Sequence, residues 1–367
     1  MPPTPYTIIG AGNGGKAMAA HLALMGFEVA LYNRTADHIY AIAKRGGIEL
    51  DSNDPNLRGF GQLKLVTSDI QAAITHGQIL MVVVPSSAHA DIARACAPHL
   101  RDGQILLLHP GRTGGAIEVA RLLRDAGCRA DVTVAETETF LYASRSDGPA
   151  QVRIFRIKDA VPLAALPSTR TDAVLEAIKD AFPQYIHGMN VLHTGLNNMG
   201  AIFHPALTIL NAGRIESTNG DFQFYLDGAT PSVARVLEVL DRERVTVAAA
   251  LGIRARTAQE WLALAYNATG NTLYDAIHNQ PGYVGIKAPA TLFHRYIFED
   301  VPMSLVPIAA LGQRYGVAVS GIDSIIRLAC IIHRTDYWRK GRTLERLGIA
   351  SLSVTELTHF VETGVWE

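Results

Sequence analysis

The stretch Thr7 to Thr35, TIIGAGNGGKAMAAHLALMGFEVALYNRT, constrains the fold of this chain more than any other segment. It reads as strand, glycine turn, helix, strand. The apolar run Thr7-Ile8-Ile9 leads into Gly10-Ala11-Gly12-Asn13-Gly14-Gly15. A helical pattern follows through Ala17, Leu22 and Leu24, then Gly26, then a second apolar strand from Glu28 to Tyr32. Glycines 10, 12 and 15 fit G-x-G-x-x-G where a βαβ unit needs it. Gly10 permits the tight turn, Gly12 lets a pyrophosphate approach the backbone, and Gly15 lets the helix pack close to the strand. The backbone from Gly12 through Asn13 and Gly14 then offers free N–H groups and a partial positive charge to phosphates. A dinucleotide site is the expectation; the alternative is a glycine-rich turn in another kind of α/β protein.

The tip of the second strand bears on which dinucleotide. An NAD site usually carries Asp or Glu there, bonding the ribose 2′-OH. This tip reads Tyr32-Asn33-Arg34-Thr35, with no carboxylate. Arg34 can pair with a 2′-phosphate through its planar fork, and Asn33 and Thr35 can donate hydrogen bonds. NADP is therefore favoured, with NAD possible. Alternatively Arg34 is a solvated loop residue and Asn33 serves either cofactor.

At 367 residues the chain suits two domains. Hydrophobic content of 48% suffices for two cores, and the net charge of −1 argues against a nucleic-acid or anionic-membrane surface. Cys96, Cys128 and Cys330 have no metal-ligand spacing, so no metal site is expected, and the odd count fits buried thiols in a reducing cytoplasm. No signal peptide is evident, and no apolar run approaches membrane length.

Strands and helices alternate through the first half. Gln78–Pro85 and Gln104–Pro110 are continuous apolar runs suited to buried parallel strands; Asp131–Thr137 and Val152–Lys158 read as further strands. This is the pattern of an α/β Rossmann-type doubly wound sheet, spanning residues 1–185. Ligands in such sheets bind beyond the strands' carboxyl ends, so Pro85-Ser86-Ser87, His109 to Arg112 and Glu136-Thr137 are expected at the cofactor cleft. Residues 186–367 read as a mostly α-helical C-terminal domain, including a long run over 191–216 interrupted by Pro205. The active site is expected where the two domains meet, and the apolar helices can support a homodimer.

Two clusters in the second half carry chemistry. His204 precedes Pro205 inside an apolar helical run, where a kink can turn a polar side chain toward a cleft. The plainer reading is a core histidine bonded to a carbonyl freed by the kink. Arg295 and Asp300 stand in FHRYIFEDVPMSLVP, where Arg295 can grip a carboxylate and Asp300 can orient a histidine. The plainer reading makes Asp300 a helix N-cap ahead of Pro302 and Arg295 a structural ion-pair partner. Asn197 and Asn198 lie about two turns before His204, within reach of nicotinamide or substrate, or as caps. Lys16 is expected near the phosphates.

In order, the segments IIGAGNGGKAMAAHLA, VVVPSSAH, HPGRTGG, ETETFLYASR, FHPALTILNAGRIE, HRYIFEDVP and GRTLERLGI resemble the octopine/nopaline (opine) dehydrogenase family over nearly the whole chain. The resemblance implies an N-terminal Rossmann domain and a helical substrate domain. It implies reductive condensation of an amino acid's amine with a 2-oxo acid, commonly pyruvate, using NADH or NADPH. It maps the catalytic histidine onto His204 and its aspartate and arginine partners onto Asp300 and Arg295. One departure is Gly200, where many members carry an Asn four residues before the histidine; Asn197 or Asn198 can substitute. Two other readings stand beside this one. A 2-oxo or 3-oxo acid reductase of the ketopantoate reductase or glycerol-3-phosphate dehydrogenase type usually places a lysine donor early in the second domain, yet no lysine lies between Lys179 and Lys287. A non-catalytic NADP-binding sensor would bind cofactor without oxidising it.

Overall fold

The computed structural model describes residues 4–365. Its contacts divide the chain into two units, Met1–Thr194 with His359–Glu367, and Gly195–Thr358. A break between residues 185 and 186, as expected above, would cut the strand Tyr185–His187 in two. That strand is paired into the large sheet of the first unit, which carries the division on to Thr194.

The strands are β1 (Tyr6–Ile9), β2 (Val29–Tyr32), β3 (Gly47–Ser52), β4 (Gly59–Gln62), β5 (Leu65–Thr67), β6 (Ile79–Val82), β7 (Ile105–Leu108), β8 (Thr133–Thr137), β9 (Tyr142–Gly148), β10 (Gln151–Ile157), β11 (Val161–Leu166) and β12 (Tyr185–His187). Eight of them form one sheet in the order β12-β11-β8-β7-β6-β1-β2-β5. From β5 to β8 all pairings are parallel; β11 is antiparallel to β8 and carries β12 parallel to itself. The chain leaves β1 for β2 on one side and returns to β6 on the other. The topological switch point, where such sheets bind ligands, therefore lies past the ends of β1 and β6, with Ile9 beside Val82.

Val152–Lys158 does form a strand, β10, but outside this sheet. It belongs to a second sheet, β4-β3-β10-β9, in which β9 and β10 are an antiparallel hairpin and β3 runs parallel to β10. Its sequence explains the placement. Val152 and Ile154 are buried while Arg153 and Phe155 are exposed, so only one face is apolar, whereas β6 is buried along its whole length. The apolar face covers helix α1 (Asn13–Leu24), whose residues from Gly15 to Leu22 are all buried. A helix covered on both sides must be small or apolar all round, which Ala17, Met18, Ala19, Ala20 and Leu22 supply. The small sheet approaches it closely: a Cβ on Gly61 would stand 2.7 Å from the Ala20 carbonyl oxygen.

The second unit is built from helices. The run over 191–216 becomes three helices: Val191–Leu196, which contains the division at Thr194, then Met199–Leu210 and Ala212–Thr218 in the second unit. The helix continues through Pro205; the breaks fall instead at Asn197-Asn198 and Asn211. Pro205 removes one ladder bond, and packing against Pro231–Ala250 and Ser320–His333 holds the helix regardless. Side chains secure the first break. The Asn197 amide oxygen accepts the Arg256 N–H (3.0 Å), and the Asn198 amide donates to Ser304 Oγ (2.8 Å). Arg244, fully buried, pairs with Asp241 (2.6 Å) and donates to the Leu196 carbonyl (2.5 Å), an acceptor orphaned by the helix end. Removing one member of such a pair typically costs about 3–5 kcal/mol, because it strands a buried charge.

Candidate active site

In the first unit the glycine turn meets the steric demands that its spacing implied. Gly10 has φ +113°, and a Cβ there would sit 2.4 Å from the Val83 carbonyl oxygen. A Cβ on Gly15 would sit 1.7 Å from the Gly10 oxygen, so only glycine lets α1 lie this close to β1. Gly14 abuts the Phe140 ring, and Gly12 faces open space. No acidic side chain occupies the first turn of α1, and its N-cap, Gly12, offers no side chain to satisfy the N–H groups. A pyrophosphate fits this cradle by shape and by charge.

The neighbouring residues are sorted by their bonds. Asn13 accepts the Ser146 N–H (3.1 Å), tying the turn to β9. Asn33 accepts the Ala11 N–H (3.3 Å) and donates to the Thr35 carbonyl (3.0 Å), so its amide pins the loop. Arg34 is 80% exposed beyond that loop, with Asp91 3.9 Å from its guanidinium. Thr35 precedes a short 3-10 turn without capping it, and Pro85 follows β6 at the switch point. Lys16 points away from the place expected of it: its ammonium donates to the Gly148 carbonyl (3.2 Å), and burial lowers its pKa. Glu136, also expected at the cleft, is fully buried, accepting the Ala116 N–H (2.8 Å) at a helix N-terminus and the Thr194 hydroxyl (2.7 Å). His109 lies beneath, sharing a hydrogen bond with the Tyr185 hydroxyl (3.2 Å).

In the second unit, two residues 96 positions apart, His204 and Asp300, converge. His204 projects from Met199–Leu210, which packs against the short helix Arg295–Phe298 and the π-helical turn Val301–Leu305. Asp300 lies between those two elements. Its side chain makes no cap; instead Oδ2 stands 2.9 Å from His204 Nδ1. The aspartate side chain is wholly buried, whereas the imidazole keeps 20% exposure. This overturns both plainer readings, the N-cap for Asp300 and the carbonyl-bonded core histidine for His204. Irregular π turns of this kind recur at functional sites because they re-aim side chains.

Arg295 stands one helical turn before Glu299 and pairs with it at 2.9 Å; Glu299 is buried and Arg295 half exposed. The ion pair expected of a merely structural Arg295 is therefore present, on a side chain that is still half exposed. Sequence reasoning missed the rings. Tyr296 stacks on His204 (centroids 4.1 Å, 18° between planes), and His294 meets Tyr296 edge-on (4.4 Å). Burial, with the charges of Arg295 and His204, holds the His294 imidazole below its ordinary pKa. The i, i+4 spacing of Arg295 and Glu299 was a readable signal; nothing in the sequence marks Tyr296.

Family comparisons agree with the order of elements. Residues 187–333 match the family "NAD/NADP octopine/nopaline dehydrogenase, alpha-helical domain", and residues 5–110 match "NAD-dependent glycerol-3-phosphate dehydrogenase N-terminus". The opine dehydrogenase of Arthrobacter sp. (strain 1C) is 40% identical over 97% of this chain and 98% of its own length. The octopine dehydrogenase of Pecten maximus is 22% identical over 88% of each. A solved octopine dehydrogenase in complex with NADH and agmatine shares the fold at TM-score 0.82, with 20% identity and 99% of both chains covered. A yersinopine dehydrogenase with NADP+ bound does so at TM-score 0.74 and 15% identity, over 98% of both chains. The chain belongs to the octopine/nopaline (opine) dehydrogenase family, NAD(P)-dependent oxidoreductases that act on CH–NH bonds.

Proposed function

We propose that this chain condenses a 2-oxo acid such as pyruvate with the amine of an amino acid, reduces the imine they form, and catalyses the reverse oxidation. The observation that carries the reading is the His204–Asp300 hydrogen bond, set in the unit that the family's helical domain matches. The relatives support the substrate classes, since octopine dehydrogenase structures hold arginine or pyruvate beside NADH.

Gly10, Gly12, Asn13, Gly14 and Gly15 would hold the dinucleotide's phosphates, with Pro85 beside them. When bound, the nicotinamide supplies the hydride that reduces the imine carbon. Asp300 accepts from His204 Nδ1–H, which fixes the tautomer and leaves Nε2 as the working nitrogen. His204 Nε2 takes a proton from the substrate ammonium, and returns one to the carbinolamine hydroxyl as it departs as water. The resulting imidazolium is stabilised by the buried carboxylate. Arg295 clamps a substrate carboxylate with donors that Glu299 does not occupy. Asn198, bonded to Ser304, is assigned to positioning the His204 helix rather than to contact with substrate.

We also assign a preference for NADPH over NADH to Arg34, with Asp91 moderating it by competing for the same guanidinium. A cytoplasmic homodimer fits the free thiols of Cys96, Cys128 and Cys330 and the exposed Leu328 and Ile331 on one helix of the second unit. No helix among the described residues is long and apolar enough to cross a membrane. Omission assays test the reaction: oxidation of NADPH or NADH must require oxo acid and amine together, and oxidation by the oxo acid alone would move the chain to the hydroxy-acid reductases.

A further inference from the structure

We propose that Tyr296 is a positioning residue for this reaction: its ring, backed by Phe224, holds the plane of the His204 imidazole so that Nε2 keeps one direction. The inference rests on His204 being the acid–base group. A single hydrogen bond from Nδ1 to Asp300 fixes one atom of the imidazole but leaves the ring free to swing about that bond. A stacked face removes the remaining freedom. Tyr296 lies 4.1 Å from the imidazole with 18° between planes, on the same ring that Asp300 holds from its edge.

Tyr296 is itself fixed from several sides. Phe224, fully buried, also stacks on it (5.1 Å, 26°), so the ring that faces His204 is itself held against a buried ring. Phe224 is braced in turn by Tyr225, edge-on at 5.1 Å. His294 meets Tyr296 from the side (4.4 Å, 81°), and its Nδ1 accepts the Tyr296 backbone N–H (3.4 Å). Each ring pair favours one ring orientation over others by several-fold beyond what area burial alone would give. Catalytic groups need orientation within roughly 10–20°, and misplacement by about 1 Å can cost about 100-fold in rate. The functional element is thus the aromatic face, which phenylalanine retains and leucine does not.

The test compares Tyr296→Phe, Tyr296→Leu and Phe224→Leu with the parent and with His204→Asn, measuring kcat, the KM of oxo acid and of amino acid, NAD(P)H affinity by fluorescence, and Tm. Expected are kcat within about 3-fold for Tyr296→Phe, a fall of about 20-fold or more for Tyr296→Leu, and a smaller fall for Phe224→Leu, with cofactor affinity and both KM values within a few-fold. Equal losses in the Phe and Leu variants would overturn the proposal, assigning the effect to the hydroxyl; so would full activity in a folded Tyr296→Leu. If Tyr296→Leu does not fold, Phe224→Leu decides: unchanged kcat overturns the proposal. If His204→Asn stays active, the underlying reading of His204 has failed; an inactive His204→Asn beside an active Tyr296→Leu sinks this inference alone.

Discussion

His204 Nδ1 lies 2.9 Å from Asp300 Oδ2 across 96 residues of chain, and the aspartate side chain has no solvent exposure. A carboxylate so placed has a partner to orient. Asp300→Asn keeps the shape but can stabilise the wrong imidazole tautomer and removes the charge that favours imidazolium. A fall in kcat of about 100-fold or more is expected, with NAD(P)H affinity unchanged. Steady-state kinetics with fluorescence titration of the cofactor check it; kcat within a few-fold of the parent would make the pair structural.

The glycine turn separates two kinds of glycine. A Cβ on Gly15 would sit 1.7 Å from the Gly10 oxygen, while Gly12 has open space around it. Gly15→Ala should therefore destabilise the first unit by about 3 kcal/mol or more, lowering Tm or soluble yield. Gly12→Ala should fold like the parent and lose about 10-fold or more in dinucleotide affinity, because the methyl group occupies the pyrophosphate's approach. Equal Tm losses in the two would contradict this division of labour.

Much of this was legible beforehand, and the exceptions share a cause. The parallel strands announced themselves because β6 and β7 are buried on both faces and so read as unbroken apolar runs. β10 was readable as a strand but not as a member of a separate sheet, since alternation shows that one face is buried without saying against what. Pro205 suggested an interruption, yet packing carried the helix through, and Asn197-Asn198 made the break using side-chain bonds to Arg256 and Ser304. His204, Asp300 and Arg295 stood out because their chemistry is rare in apolar segments. Tyr296 did not, because an aromatic beside an arginine looks like ordinary packing until the fold lays its ring on His204.

Cofactor choice rests on exposed charges. Arg34→Ala should weaken NADPH by about 10-fold while changing NADH little, and Asp91→Asn should strengthen NADPH by releasing the guanidinium. Kd values for both cofactors at low and physiological salt check the pair. Equal effects on NADPH and NADH would return Arg34 to the solvated surface.

Arg295 carries a distinct expectation. Arg295→Lys retains charge but loses the bidentate fork, so KM for a carboxylate substrate should rise about 10-fold with a smaller change in kcat. If KM stays fixed and only Tm falls, the bond to Glu299 is its whole role.

Acid should destabilise the first unit through two buried histidines. Burial lowers the pKa of His21 to about 4 and of His109 to about 3. Between those values and the ordinary value near 6.5, the unfolded chain binds protons that the folded chain does not, so stability falls as pH drops. Each histidine contributes a slope of about 1.4 kcal/mol per pH unit in its window. His109→Gln should flatten the denaturant-unfolding profile from pH 6.5 downward; an unchanged slope would mean that His109 is not kept neutral.

The most direct test of the whole account is NAD(P)H oxidation by the parent and by His204→Asn, with pyruvate and a panel of amino acids each omitted in turn. The asparagine amide can still donate to Asp300, so the fold survives. The account predicts oxidation by the parent only when oxo acid and amine are both present, and a loss of about 100-fold or more in His204→Asn with cofactor binding intact. Turnover in His204→Asn within a few-fold of the parent would contradict it.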